Sequence, residues 1–162
     1  MYAIFKVNGF YAGTAHGNFI LVKDWDLAYG AYILQYSDFT NPYGLPDTSH
    51  EEFAGAYGDN PGNAGYDAGA TGTNGFVRTG TWYKLAYTYD GMVANLYLNG
   101  NLISTGNHYK VPFTANSNDL FIGRSSDPSG IFPFWFNGVI DEIRIYDRAL
   151  TAKEIGALTN LP

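Results

Sequence analysis

Hydrophobic and polar residues alternate with a period close to two along most of the chain, a pattern typical of β-strands. Each alternating segment is short and is followed by glycine, asparagine or other residues that favour turns. The predicted strands cover residues 2–8, 19–23, 31–36, 82–90, 93–98, 102–105, 120–123 and 136–146.

Two dipeptides join three strands of the second half into a meander. Asp90-Gly91 and Asn99-Gly100 stand between apolar runs. Such pairs favour two-residue hairpin turns, because the turn residues adopt positive φ. Residues 82–105 are therefore predicted to form three consecutive antiparallel strands.

A short helix is predicted near the end of the chain. Thr151 and Glu154 have the spacing of a capping box, in which each side chain accepts a hydrogen bond from the other residue's backbone amide. Leu150 and Ile155 form a matching hydrophobic staple, so we expect a helix of about two turns that ends near Leu158. Many short strands with one terminal helix favour an all-β sandwich.

The middle of the chain, residues 41–75, shows no regular alternation. It is rich in glycine and contains three prolines, so we expect a long Gly-rich loop. Long loops in compact domains often carry function. The alternative is an insertion that has no role.

Length and composition are those of one globular domain. The chain has 162 residues, of which 46% are hydrophobic, and we expect a single domain over residues 1–162. The first residues lack the basic region and apolar stretch of a signal peptide, and no segment is apolar enough for membrane insertion. Because the strand pattern already begins at residue 2, we expect the chain to be a module excised from a longer chain.

The charge balance is acidic, with 9 Lys and Arg against 15 Asp and Glu and a net charge of -6. Nucleic acids and anionic membranes bind basic patches, so neither is expected as a partner. The chain contains no cysteine, which excludes disulfide scaffolds, thiolate catalysis and cysteine-based zinc sites.

No recognisable catalytic motif accompanies the strands. Glycosidases use two carboxylates at a set separation, but the acidic pairs here are adjacent and point to opposite faces of a strand. The histidines, His16, His50 and His108, lack metal-ligand spacing, and no serine lies in a Gly-x-Ser-x-Gly elbow. We therefore expect a protein that is not an enzyme.

Asp141 is a candidate metal ligand. Strict alternation along 139–146 places it on the same face as Val139 and Ile143, where a bare carboxylate is costly to bury. Either it accepts hydrogen bonds from buried backbone amides, or it binds Ca²⁺, which takes carboxylate and carbonyl oxygens. A β-bulge would change this parity.

Aromatic residues in or near loops are candidate ligand-binding residues. An exposed ring can stack on the apolar face of a sugar, while neighbouring Asn and Asp side chains bind its hydroxyls. The alternative for each ring is packing onto the sandwich. The tripeptide Asp24-Trp25-Asp26, at a probable strand end, could bind sugar or calcium. The candidates are Asp24, Trp25, Asp26, Tyr57 and Trp135.

The second half resembles a known family. The matching runs are Trp82…Tyr89-Asp90-Gly91, Leu96-Tyr97-Leu98-Asn99-Gly100, Phe121-Ile122-Gly123 and, most specifically, residues 137–155. These are similar to laminin-G-like (LamG) domains of the concanavalin A-like lectin/glucanase superfamily. Residues 6–18 look like versions found in large bacterial surface proteins.

The resemblance implies a jelly-roll β-sandwich of two antiparallel sheets. It also implies a non-catalytic carbohydrate-binding module, or lectin, of a secreted or cell-surface bacterial protein, with a polysaccharide or glycan as partner. Many relatives bind a structural Ca²⁺, and Asp141 occupies the place of a ligand in the glucanase branch. The alternative is a protein–protein adhesion or spacer module that binds a surface protein and no glycan.

Overall fold

The structure is a computed structural model. It describes residues 1–9, 18–23, 31–38, 51–58, 68–72, 77–107, 117–125, 127, 129–130 and 133–160. The described residues form ten strands and one helix. These elements are β1 (Tyr2–Gly9), β2 (Asn18–Lys23), β3 (Ala31–Asp38), β4 (Glu51–Gly58), β5 (Ala68–Gly72), β6 (Trp82–Tyr89), β7 (Val93–Leu98), β8 (Asn101–Asn107), β9 (Leu120–Ile122), β10 (Asn137–Arg144) and α1 (Ala152–Thr159).

The strands form two five-stranded antiparallel sheets. The first sheet has the order β10-β1-β6-β7-β8 and the second the order β5-β4-β3-β2-β9. This is the predicted all-β jelly-roll sandwich with a short C-terminal helix. The predicted strands of both halves are all present, with ends that differ by a few residues.

The main core lies between the two sheets and is rich in aromatic rings. Alternate residues of β1, β6 and β7 face inward, as a period of two requires. The ring of Phe5 in β1 stacks on Tyr36 in β3 at a centroid distance of 6.0 Å. Phe53 in β4 meets Tyr83 in β6 at 4.9 Å. These contacts join strands of opposite sheets, so they hold the sandwich together.

Helix α1 covers the outer face of the first sheet. Leu150 and Ile155 are buried there with Tyr2 and Tyr97, as the predicted hydrophobic staple requires. The Thr151 hydroxyl accepts from the Glu154 amide, and the Glu154 carboxylate accepts from the Thr151 amide at 2.8 Å. The predicted capping box is confirmed.

The meander of β6, β7 and β8 is confirmed, with one difference between its two turns. Asn99 and Gly100 both have positive φ, 49° and 83°, as a two-residue hairpin turn requires. In the other turn only Gly91 has positive φ. Asp90 instead accepts hydrogen bonds from the amides of Val93 and Met92, and these bonds lower its carboxyl pKa.

The prediction of a continuous loop over residues 41–75 is wrong, because β4 and β5 lie within it. The small residues of these strands explain the error. A Cβ on Gly55 would overlap the ring of Tyr87 in the opposite sheet, so glycine is needed for a close approach. Glycine and alanine carry little hydrophobic signal, and the strand pattern is therefore hidden.

Candidate functional site

Gly123 and Phe136, at the two ends of the segment that connects β9 to β10, lie next to each other. β9 is the edge strand of the second sheet and pairs with β2. The Gly123 amide donates to the Ile20 carbonyl at 3.1 Å, and the Phe136 amide donates to the Gly123 carbonyl at 3.0 Å. Both ends of the connection are thus fixed at the edge of the second sheet.

Hydrogen bonds also hold the interior of this connection. The amide of the buried residue Ser125 donates to the Pro133 carbonyl at 2.8 Å. The Ser125 hydroxyl accepts from the Asp127 amide at 3.0 Å. The Asp127 carboxylate in turn accepts from the amide and hydroxyl of Ser129, at 2.8 and 2.7 Å. These bonds fix the described residues of the connection relative to one another.

Phe134 has an unusual backbone conformation. Its φ of 44° lies in the left-handed region, which is rare for a bulky residue and costs about 1–3 kcal/mol. Its ring is buried against Phe19 at a centroid distance of 4.7 Å, and its carbonyl accepts from the Phe19 amide at 3.2 Å. This packing holds the strained residue in place, and the next residue, Trp135, points to solvent.

Trp135 is an exposed aromatic residue of this region, with 51% of its surface accessible. The guanidinium carbon of Arg124 lies 5.6 Å from the Trp135 ring centroid and 4.9 Å from that of Phe121. These are cation–π distances. We call Phe121, Arg124 and Trp135 the Trp135 cluster.

The Trp135 cluster lies on the face of the second sheet that points away from the main core. Phe121 packs there against Phe19, Val22 and Phe134, whereas the neighbouring residues of β2 face inward. The cluster therefore combines a flat apolar surface with an exposed cation on an ordered support. Such a surface can stack on a ring and donate hydrogen bonds to its polar groups.

The predicted ligand-binding residues differ in their exposure to solvent. Trp135 is exposed, as expected for a stacking ring. Tyr57 is only 5% exposed and stacks on Tyr89 between the sheets at 5.4 Å, so its ring belongs to the core. Asp24, Trp25 and Asp26 lie outside the described residues.

Sequence reasoning missed Arg124 and Phe121. Phe121 is part of a predicted strand, and Arg124 directly follows that strand. Their contact with Trp135 depends on the path of the connection between β9 and β10. A cation directly after a predicted strand that contains an aromatic residue is the signal that could have singled out Arg124.

Asp141 is exposed at a β-bulge. The register of β1 with β10 shifts between Ile4 and Phe5, which face Glu142 and Ile140. Asp141 is therefore the extra residue, and Ile140 and Ile143 both pack on the core. The prediction that Asp141 shares the apolar face is wrong, because the bulge inverts the alternation.

The calcium prediction at Asp141 stays untested. Ca²⁺ takes six to eight oxygen ligands, and in the described ranges no three His, Asp or Glu side chains gather into a metal-binding group. The check is the melting temperature with and without Ca²⁺. A Ca²⁺-dependent rise that Asp141→Ala abolishes would support the site, and an equal rise in both proteins would exclude it.

A second exposed tryptophan lies on the first sheet. Trp82 in β6 is 47% exposed, and the Lys6 ammonium lies 5.7 Å from its ring centroid. This pair is on the outer face of the first sheet, the face that α1 covers farther along.

A family model covers most of the chain. The laminin-G-type model described as "Concanavalin A-like lectin/glucanases superfamily" matches residues 44–156. No curated protein sequence is similar enough to the chain to count as a match. Within the described residues, no helix has the length and hydrophobicity needed to cross a membrane.

Solved structures share the fold at low sequence identity. The CBM40 of the Ruminococcus gnavus IT-sialidase, bound to α2,3 sialyllactose, has a TM-score of 0.70 and 16% identity, over 99% of this chain and 80% of that one. Domain 4 of AbnA, a GH43 extracellular arabinanase from Geobacillus stearothermophilus, is in complex with arabinotriose. It has a TM-score of 0.62 and 21% identity, over 98% of this chain and 66% of that one.

A longer protein from Bacteroides ovatus, provisionally described as carbohydrate-binding, is also similar. Its TM-score is 0.67 and its identity 21%, over 96% of this chain. This chain spans only 38% of that protein. The likeness to all three structures shows a common fold.

Proposed function

The chain belongs to the laminin-G-type family of the concanavalin A-like lectin/glucanase superfamily, and on that premise we propose that it is a non-catalytic carbohydrate-binding module of a secreted or cell-surface bacterial protein. The observation that carries this proposal is the exposed ring of Trp135 on its ordered support, beside the Arg124 guanidinium. Glycans contain both kinds of group that this surface binds, apolar C–H faces and polar hydroxyls.

Binding would begin with stacking of a sugar ring on the Trp135 indole. Contact between the two apolar faces releases water from both, which is favourable. The Phe134 packing and the hydrogen bonds of the connection already fix the main chain beside the indole. Little ordering of the main chain is therefore required on binding. The Arg124 N–H groups would then donate to sugar oxygens.

The solved structures support this proposal by the sugars that are bound in them. One is bound to sialyllactose and another is in complex with arabinotriose. The second belongs to an enzyme named as extracellular, which agrees with a secreted parent protein for this chain. A fold by itself does not fix function, so the argument depends on the Trp135 cluster.

The test compares two tryptophans that are almost equally exposed. The purified domain is first screened on a glycan array, and affinity for the hits is measured by calorimetry. We expect Trp135→Ala to weaken glycan binding roughly tenfold or more, because a large aromatic contact is lost. Trp82→Ala is the matched control and should leave the affinity unchanged. Equal binding by wild type and both variants would disprove the role of Trp135.

A second candidate function is protein–protein adhesion. β9 is an edge strand, and its Leu120 and Ile122 are exposed apolar residues. Edge strands of this kind can pair with another chain. An empty glycan array with folded protein, together with a surface protein whose capture is lost in Ile122→Lys, would favour this function.

A further inference from the structure

Arg124 keeps its guanidinium at the surface beside two aromatic rings. Its Nε donates to the Ser125 carbonyl at 3.1 Å, while its guanidinium carbon lies near the rings of Phe121 and Trp135. A guanidinium that stacks on rings still has its N–H edge available for hydrogen bonds. With respect to the described part of the chain, the terminal nitrogens of Arg124 therefore remain as donors for a ligand.

The charge of Arg124 is not neutralised within the described residues. The ion pairs found there join Arg144 to Glu142 and Arg148 to Glu154. Asp127, the acidic residue that follows Arg124 most closely in the chain, binds the amide and hydroxyl of Ser129. Arg124 thus presents a positive charge on a chain whose net charge is -6.

We infer that the Trp135 cluster binds anionic sugar units, and that Arg124 recognises their carboxylate or sulfate group. This inference rests on the proposed glycan-binding function and names its ligand class. A carboxylate matches the planar guanidinium with two parallel hydrogen bonds, and such charge-assisted bonds are stronger than neutral ones. The Trp135 ring takes the apolar face of the same sugar.

The acidic chain does not prevent this recognition. Long-range repulsion between the net charge and an anionic glycan is screened beyond about 8 Å at physiological ionic strength. A contact pair between Arg124 and an oxoanion lies well within that distance. The positions of Arg124 and Trp135 on one ordered support also mean that the two contacts form together.

The experiment measures affinity for pairs of glycans that differ only in the acidic group. Sialyllactose is compared with lactose, galacturonic acid trimers with galactose trimers, and sulfated with unsulfated lactose. The proteins are the wild type, Arg124→Gln and Arg124→Lys. Titration calorimetry gives the affinities, and thermal melting confirms that each variant is folded, as expected for an exposed side chain.

For at least one pair, the wild type should bind the acidic glycan roughly tenfold to a hundredfold more tightly than its neutral counterpart. This is the size of effect expected from a charge-assisted contact. Arg124→Gln should abolish that preference, and it should weaken binding of the neutral counterpart much less, because the glutamine amide can still donate to sugar hydroxyls. Arg124→Lys should keep part of it, because the ammonium retains the charge but not the planar geometry. The pair in which the acidic glycan is preferred identifies the recognised group as a carboxylate or a sulfate.

Two outcomes overturn the inference, and they differ in meaning. The role of Arg124 is refuted if the wild type binds acidic and neutral glycans equally. It is also refuted if Arg124→Gln keeps the preference for the acidic glycan. The glycan-binding function would then stand. No binding to any glycan of the array refutes the proposed function as well.

Discussion

At the scale of single residues, the close approach of the two sheets depends on a glycine, which has no side chain. Gly55 in β4 faces the ring of Tyr87 in β6, and a Cβ there would overlap ring carbons. The interior of a folded domain is packed as densely as an organic crystal. Neither the ring nor the strand can move away without disturbing other core residues.

Gly55→Ala is therefore expected to destabilise the fold by about 1–3 kcal/mol, the usual cost of overpacking. The matched control is Gly156→Ala in α1, where no atom lies within 4 Å of the added Cβ. That change should be neutral or stabilise by about 0.5–1 kcal/mol, since glycine is a poor helix former. Urea unfolding midpoints measure both effects. Equal effects of the two substitutions would contradict the proposed overlap.

At the scale of elements, the start of α1 depends on one exposed carboxylate. The Glu154 side chain accepts hydrogen bonds from Arg148 and from the amide and hydroxyl of Thr151. These contacts, chiefly the one with Arg148, lower its pKa from 4.5 to about 2. The charged form of Glu154 is thus the one that stabilises the helix.

The pH dependence of stability follows from this pKa. Between about pH 4.5 and pH 2 the unfolded chain binds more protons at Glu154 than the folded one, so acid favours unfolding. The contribution of Glu154 is complete above pH 4.5 and is lost as the pH falls toward 2. Glu154→Gln keeps an amide that can cap the helix but cannot titrate.

Melting temperatures of wild type and Glu154→Gln, recorded from pH 7 to pH 2, test this prediction. The wild type should be the more stable protein at neutral pH, and the difference should shrink below about pH 4.5. A difference that stays constant over this range would show that the ionised carboxylate is not the stabilising form.

At the scale of the whole molecule, helix α1 and the proposed binding surface lie on opposite outer faces. Helix α1 packs on the first sheet, around Tyr2 and Tyr97, whereas the Trp135 cluster packs on the second, against Phe19. The main core lies between them. Changes at one outer face should therefore not reach the other.

Two substitutions test this separation. Leu158→Ala in α1 should lower the free energy of unfolding by about 1–2 kcal/mol, since a half-buried side chain is truncated, and leave glycan affinity unchanged. Trp135→Ala should weaken binding with little change in stability, as expected for a surface residue. A loss of affinity in folded Leu158→Ala would show that the two faces are coupled.

The elements that sequence reasoning identified correctly are those with a strong local pattern. Alternation at 82–90, the Asn99-Gly100 turn and the Thr151 capping box each depend on neighbours a few residues away. The family resemblance depends on these same runs. The sandwich class and the terminal helix could therefore be predicted from the sequence alone.

What only the tertiary structure decided are contacts between residues far apart in the chain. Strand β4 depends on Gly55 meeting Tyr87 across the core, and the exposure of Asp141 depends on a bulge in its pairing with β1. Tyr57 faces inward because the opposite sheet offers Tyr89. Arg124 reaches Trp135 because the connection closes at Gly123 and Phe136. Local patterns determine the elements, whereas packing between elements determines which side chains are exposed.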